Sequence, residues 1–144
     1  MYGTRRREKI FKKVLVIDDS ETDRYVAKRM LQKYNFADEI VVQESATKAL
    51  IYLQTLESTP NELPQFIFLD IRMPEMDGFG FLEEFKKLSD TTKSKCTIVM
   101  LSTSLDAEDF DRASSNPFVN RFLNKPLDKE KMEILSQDFQ PKFP

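Results

Sequence analysis

Short apolar runs alternate along this chain with stretches in which apolar side chains recur every three or four positions. Residues 14–17 (VLVI) form a continuous apolar run with three β-branched side chains. That pattern predicts a strand buried on both faces. Further strands are predicted at 39–43, centred on Ile40-Val41-Val42, at 66–69 (FIFL), at 97–101 and at 119–123. Between them lie helical spacings. Val26, Met30, Leu31 and Tyr34 mark the first helix, which Ser20 and Asp23 open in the manner of a capping box. Ala46, Ala49, Leu50 and Leu53 mark the second, and Phe79, Leu82, Phe85 and Leu88 the third. A weaker, acid-rich pattern over 105–113 predicts the fourth. Met132, Leu135 and Phe139 predict a fifth behind the candidate cap Asp128. Residues 57–65, with two prolines, read as a loop, and Met73-Pro74 and Asp77-Gly78 as turn punctuation, the latter pair also capping the third helix.

Five strands alternating with five helices argue for an α/β fold, a doubly wound parallel sheet with helices on both faces. In such sheets ligands gather outside the carboxyl ends of the strands. Strand one ends in Asp18 and Asp19, strand three in Asp70 and strand four in Ser102, and strand five is followed by Lys125. Each of these residues alone has a plain reading as a helix-start acid, a turn residue, a cap or a surface lysine. Their coincidence on one rim changes that. Clustered carboxylates repel and resist ionisation unless a cation is present. A hard divalent ion relieves the repulsion, and Mg²⁺ uses one or two carboxylates while keeping waters for substrate oxygens. A lysine and a hydroxyl facing such a centre suit phosphoryl transfer, with an aspartate as nucleophile.

Composition removes competing chemistries. The 144 residues contain no histidine, which excludes His-based acid–base catalysis and His-ligated zinc. The single cysteine, Cys96, permits no intrachain disulfide, and its apolar neighbours CTIVML suggest a packed thiol. Cysteine usage of this kind suits a reducing cytoplasm, the expected location. The net charge of −2 leaves no electrostatic footprint for nucleic acid. The longest apolar run, residues 49–53, is far short of the roughly 20 residues of a membrane span. The basic start, with Arg5, Arg6, Arg7, Lys9, Lys12 and Lys13, lacks the apolar stretch of a secretory signal. Residues 1–11 are expected to be a solvated basic tail, 12–138 one domain and 139–144 a short C-terminal tail.

The pieces VLVIDD at 14–19, FLDIRMPEMDGFGFL at 68–82, MLSTS at 100–104 and FLNKP at 122–126 resemble the receiver domain of two-component response regulators. The resemblance covers about residues 12–138, in the family's order and spacing. It implies a flavodoxin-like strand order 2-1-3-4-5. It also implies roles. Asp70 matches the phosphoacceptor. Asp19 matches a Mg²⁺ ligand, with Asp18 ligating directly or through water, and the backbone carbonyl of Arg72 matches another; Mn²⁺ is the alternative ion. Ser102 matches the switch hydroxyl, Lys125 the lysine that pairs with the phosphoryl group, and Phe122 the aromatic switch position. Pro74, Gly78 and Pro126 match structural positions, and the Lys125–Pro126 bond is cis in many relatives. Arg72, Thr103 and Ser104 stand where the family tunes phosphoryl lifetime. Ser102 replaces the threonine of many relatives, which keeps the hydroxyl and loses a methyl.

The resemblance implies a single-domain response regulator that takes a phosphoryl group from a sensor histidine kinase or a histidine phosphotransfer protein. It is not an enzyme beyond its own phosphorylation and dephosphorylation. Only 18 residues follow Lys125-Pro126, so output is expected through protein contacts. The expected face is the predicted fourth helix, strand five and fifth helix, open to an unknown target or to a homodimer. Three alternatives stand beside this. A phosphorelay carrier shares its chemistry. A Mg²⁺-dependent phosphatase would want an acid at position 72, where arginine stands. A non-phosphorylated adaptor of the same fold would have lost an acid or the lysine.

Overall fold

The computed structural model describes residues 11–103 and 106–139. Five parallel strands form one sheet in the order β2-β1-β3-β4-β5. The strands are β1 (Phe11–Ile17), β2 (Ala37–Gln43), β3 (Phe66–Asp70), β4 (Thr97–Ser102) and β5 (Val119–Asn124). The helices are α1 (Glu21–Lys33), α2 (Ala46–Thr55), α3 (Gly78–Phe85), α4 (Asp90–Lys95), α5 (Ala107–Ser115) and α6 (Lys129–Asp138). A 3₁₀ turn at Pro60–Glu62 lies within the expected loop.

The sheet divides the core in two because alternate strand residues point to opposite faces. Leu15, Ile17, Ile67, Leu69, Ile98 and Met100 pack on one side, with α2 and α3. Val14, Val16, Phe66, Phe68, Val99 and Leu101 pack on the other, with α1 and α6. Every residue of β3 is buried, which is why the central runs are continuously apolar in sequence. Phe11 and Phe139, at the margins of the expected tails, pack against Phe66 with ring centroids 5.0 and 5.1 Å away.

The expected elements all form, and one was not expected. The predicted third helix ends at Phe85, and a separate helix, α4, follows it. Its hydroxyl-capped start explains it: Ser89 accepts from the Thr92 amide. Glu57 then accepts from the Ser89 amide and from the buried Thr92 hydroxyl. The predicted fourth and fifth helices are therefore α5 and α6. Ser20, Asp77 and Asp128 cap α1, α3 and α6.

Candidate phosphoryl-transfer site

Register brings the rim together. Ile17 of β1 pairs with Leu69 of β3, so Asp18 and Asp70, one residue further on each strand, emerge level. Asp70 pairs with Leu101, and Ser102 with Asn124. The Lys125 amide donates to the Ser102 carbonyl at 2.8 Å, tying the loop after β5 to the end of β4. The Lys125–Pro126 bond is cis. Gly78 is a steric necessity behind Asp70: a Cβ there would sit 2.5 Å from the Asp70 carbonyl oxygen and 3.0 Å from the Ile71 Cα.

Carboxylate oxygens of Asp18, Asp19 and Asp70 lie within 4.8 Å of one another. Asp18 and Asp70 are buried and Asp19 is exposed. Three hard oxygen donors this close, one of them open to solvent, fit a divalent cation that keeps part of its water shell. The Lys125 ammonium reaches Asp18 at 2.7 Å, Asp23 at 2.8 Å and Asp70 at 3.2 Å. Behind the cluster a cavity of about 50 Å³ is walled in part by Val16, Val26, Phe68 and Leu101.

These surroundings set the charges. Burial pushes the Asp70 carboxyl up to about 6, the charge of Asp18 adds to this, and Lys125 pulls the other way. Burial disfavours the Lys125 ammonium, but its bonds to Asp18 and Asp23 outweigh that and hold its pKa above the usual lysine range. Asp70 is thus a buried carboxylate that still ionises below neutral pH, next to a cation that never loses its proton there. Cys96, in contrast, is buried, and its thiol is pushed up to about 12.

The remaining expected residues fall around this centre. Ser102 is fully buried and Thr103 is exposed. Ser104 lies outside the described residues. Phe122 is half-buried on β5, edge-on to the exposed ring of Phe110 at 5.6 Å. Pro74 is exposed in the β3–α3 loop, beside Glu75 at φ 71°. The Arg72 side chain is engaged by Asp109 of α5 in a charge-assisted hydrogen bond.

Three participants escaped the strand-end logic: Asp23, Arg24 and Asp109. Asp23 was expected only as a capping partner; its amide does donate to Ser20, while its carboxylate holds Lys125. The Arg24 guanidinium donates to the Asp18 carbonyl at 2.8 Å. Asp109 sits four residues before Ala113, on the same buried stripe of α5. An acid at helical spacing from the buried Ala113 is the local signal for it, and its partner Arg72 comes from a distant part of the chain.

A family model described as Response regulator receiver domain matches residues 14–136. The probable methanogenesis regulatory protein FilR2 of Methanothrix harundinacea (strain 6Ac) is 31% identical over 120 residues, covering 83% of this chain and 76% of that protein. The crystal structure of a two-component response regulator from Cytophaga hutchinsonii superposes with a TM-score of 0.83 at 27% identity, covering 92% of this chain and 98% of that one. The receiver domain of the histidine kinase CKI1 from Arabidopsis thaliana, complexed with Mg²⁺ and BeF₃⁻, gives 0.70 at 27% identity over 88% and 89% of the two chains. Receiver domains are signalling modules phosphorylated by histidine kinases, and among the described residues no helix is long and apolar enough to cross a membrane. With fold, strand order and acidic cluster in agreement, the chain belongs to the response regulator receiver domain family.

Proposed function

We propose that this receiver, taken as residues 12–138, accepts a phosphoryl group on Asp70 and signals through a changed protein-binding face. The observation that carries the reading is the buried Asp70 carboxylate, facing Lys125 at 3.2 Å with Asp18 and Asp19 beside it. A Mg²⁺ ion held by Asp18, Asp19, Asp70 and the Arg72 carbonyl would supply charge neutralisation for phosphoryl oxygens. Mn²⁺ suits the same oxygen donors.

The donor is a phosphohistidine of a kinase or phosphotransfer protein. A carboxylate oxygen of Asp70 forms the new P–O bond as the donor P–N bond breaks, and that bond's electron pair stays with the imidazole. Asp70 needs no general base, because it is ionised at neutral pH. The product adds a charge of about −1.5 to −2. Lys125 then has a stronger partner than Asp23, and the Ser102 hydroxyl supplies a second contact to the phosphoryl oxygens. Movement there reaches Phe122 and the face of α5, β5 and α6. Thr103, Ser104 and Arg72 tune the lifetime. Pro74, Gly78 and Pro126 hold the loops that frame the site.

A groove of about 460 Å³ on that face, lined by Phe110, Phe122 and Ile134 among others, favours a switch that binds an effector or a second copy over a pure relay carrier. The presence of every acid and the lysine weighs against an adaptor that is never phosphorylated. Intact mass after incubation with acetyl phosphate tests the reading. Wild type should gain one phosphoryl group only with Mg²⁺, and Asp70→Ala should gain none. An adduct that persists in Asp70→Ala would overturn the assignment.

A further inference from the structure

Helix α5 is held to the domain by few apolar contacts. Its one buried apolar side chain is Ala113; the other buried residue is Asp109. Polar and aromatic contacts supply the rest. Arg112 lies over the Phe79 ring of α3 at 3.9 Å, and Phe110 meets Phe122. The Asp109 carboxylate, with its side chain 5% exposed, pairs with the Arg72 guanidinium, whose side chain is 55% exposed. A buried carboxylate depends on its cation, because an unpaired charge there is strongly disfavoured.

Arg72 is two residues from Asp70 along the chain, so one residue joins the reacting carboxylate's loop to a buried acid on the switch face. Guanidinium binds carboxylate and phosphate with the same planar fork. An anion on Asp70 therefore offers Arg72 an alternative partner with more charge than Asp109.

We propose that Asp109 is a positioning residue for Arg72: it holds the guanidinium on α5 while Asp70 is unmodified, and an anion on Asp70 competes for it and loosens α5. This rests on the phosphoacceptor reading of Asp70. By reciprocity, whatever frees Arg72 from Asp109 must tighten anion binding at Asp70 by the same factor that the anion loosens the α5 clasp.

The test is a beryllofluoride titration in Mg²⁺ of wild type, Asp109→Asn, Arg72→Gln and the double variant. Asp109→Asn should bind about five-fold more tightly than wild type, at the lower end of typical coupling between sites. In the Arg72→Gln background the same change should have no effect. A gain that persists without Arg72 would mark a through-space charge effect and overturn the proposal, as would no gain or a loss in Asp109→Asn. No binding by wild type would instead overturn the phosphoacceptor reading and the proposal with it. Amide hydrogen exchange covers the case in which Asp109→Asn fails to fold. Beryllofluoride should speed exchange in α5 of wild type. In Arg72→Gln exchange should be fast from the start and unchanged by the ligand. Slow α5 exchange in Arg72→Gln would contradict the clasp.

Discussion

Two lysines with largely buried side chains sit at different places in this fold, and their partners differ. Lys13, in β1, has a side chain 7% exposed, and that of Lys125, after β5, is 11% exposed. The Lys13 ammonium donates to the Glu62 backbone carbonyl at 2.6 Å, sits 5.9 Å from the centre of the Tyr52 ring, and meets Glu39 and Glu62 carboxylates that are more than half exposed, at 4.0 and 3.7 Å. Lys125 meets Asp18 and Asp70, both buried, and the half-exposed Asp23. At Lys13 water serves the acids if the lysine leaves. At Lys125 it does not, so the cluster retains an unmet demand for positive charge. Burial of a lysine is therefore not what marks the site. The mark is a set of buried carboxylates that one ammonium neutralises incompletely, and whose repulsion a divalent ion can relieve.

Lys125→Met should have the largest effect. It leaves Asp18 and Asp70 buried without their cation, which should destabilise the metal-free protein by about 3 kcal/mol. Mg²⁺ should restore much of this by binding the folded state alone. Thermal melts with and without Mg²⁺ should show a larger metal-induced rise in Tm for Lys125→Met than for wild type. An equal rise would mean that ion and lysine do not serve the same charges.

Titration of Asp70 gives the next largest effect. Its folded pKa of about 6 lies above the ordinary value of 3.8. Between those values the unfolded chain releases a proton that the folded chain keeps, so stability falls as pH rises. Below the window both states are protonated, and above it the loss is complete. The upper bound is about 3 kcal/mol at 1.36 kcal/mol per pKa unit; coupling to Lys125 should bring the observed loss nearer 2 kcal/mol. Urea melts of metal-free protein from pH 4 to 7 should show it, and Asp70→Asn should remove it. Mg²⁺ affinity should weaken below about pH 6, because the ion must displace that proton.

Lys13→Met should have the smallest effect. The Glu62 carbonyl loses a donor and two exposed acids lose a weak partner, for a cost of about 1 kcal/mol. The Mg²⁺-induced shift in Tm should equal that of wild type. A changed Mg²⁺ response would show that the two lysines are electrostatically linked.

The central strands were legible because burial on both faces leaves unbroken apolar runs, as in FIFL of β3. The site was legible for a related reason: the charged residues that interrupt those runs stand at strand ends, where the topology collects them. Helix α4 was not legible. DTTKSK has no apolar period, and its one buried residue is Thr92, held by Glu57 from 35 positions away. Asp23 and Asp109 were missed because both lie in acid-bearing helical first turns, where an acid is ordinarily explained by the helix dipole. Their partners, Lys125 and Arg72, come from distant parts of the chain. Local pattern carries no record of that pairing.

The proposed phosphoacceptor, Asp70, is the carboxylate that the rim crowds and Lys125 faces. The most direct measurement is borohydride reduction of protein treated with acetyl phosphate and Mg²⁺, followed by peptide mass mapping. Reduction converts an aspartyl phosphate to homoserine. The expected product is homoserine at position 70 alone, absent when Mg²⁺ is withheld. Homoserine at position 18 or 19, or a phosphoryl adduct with Asp70 unreduced, would contradict the account.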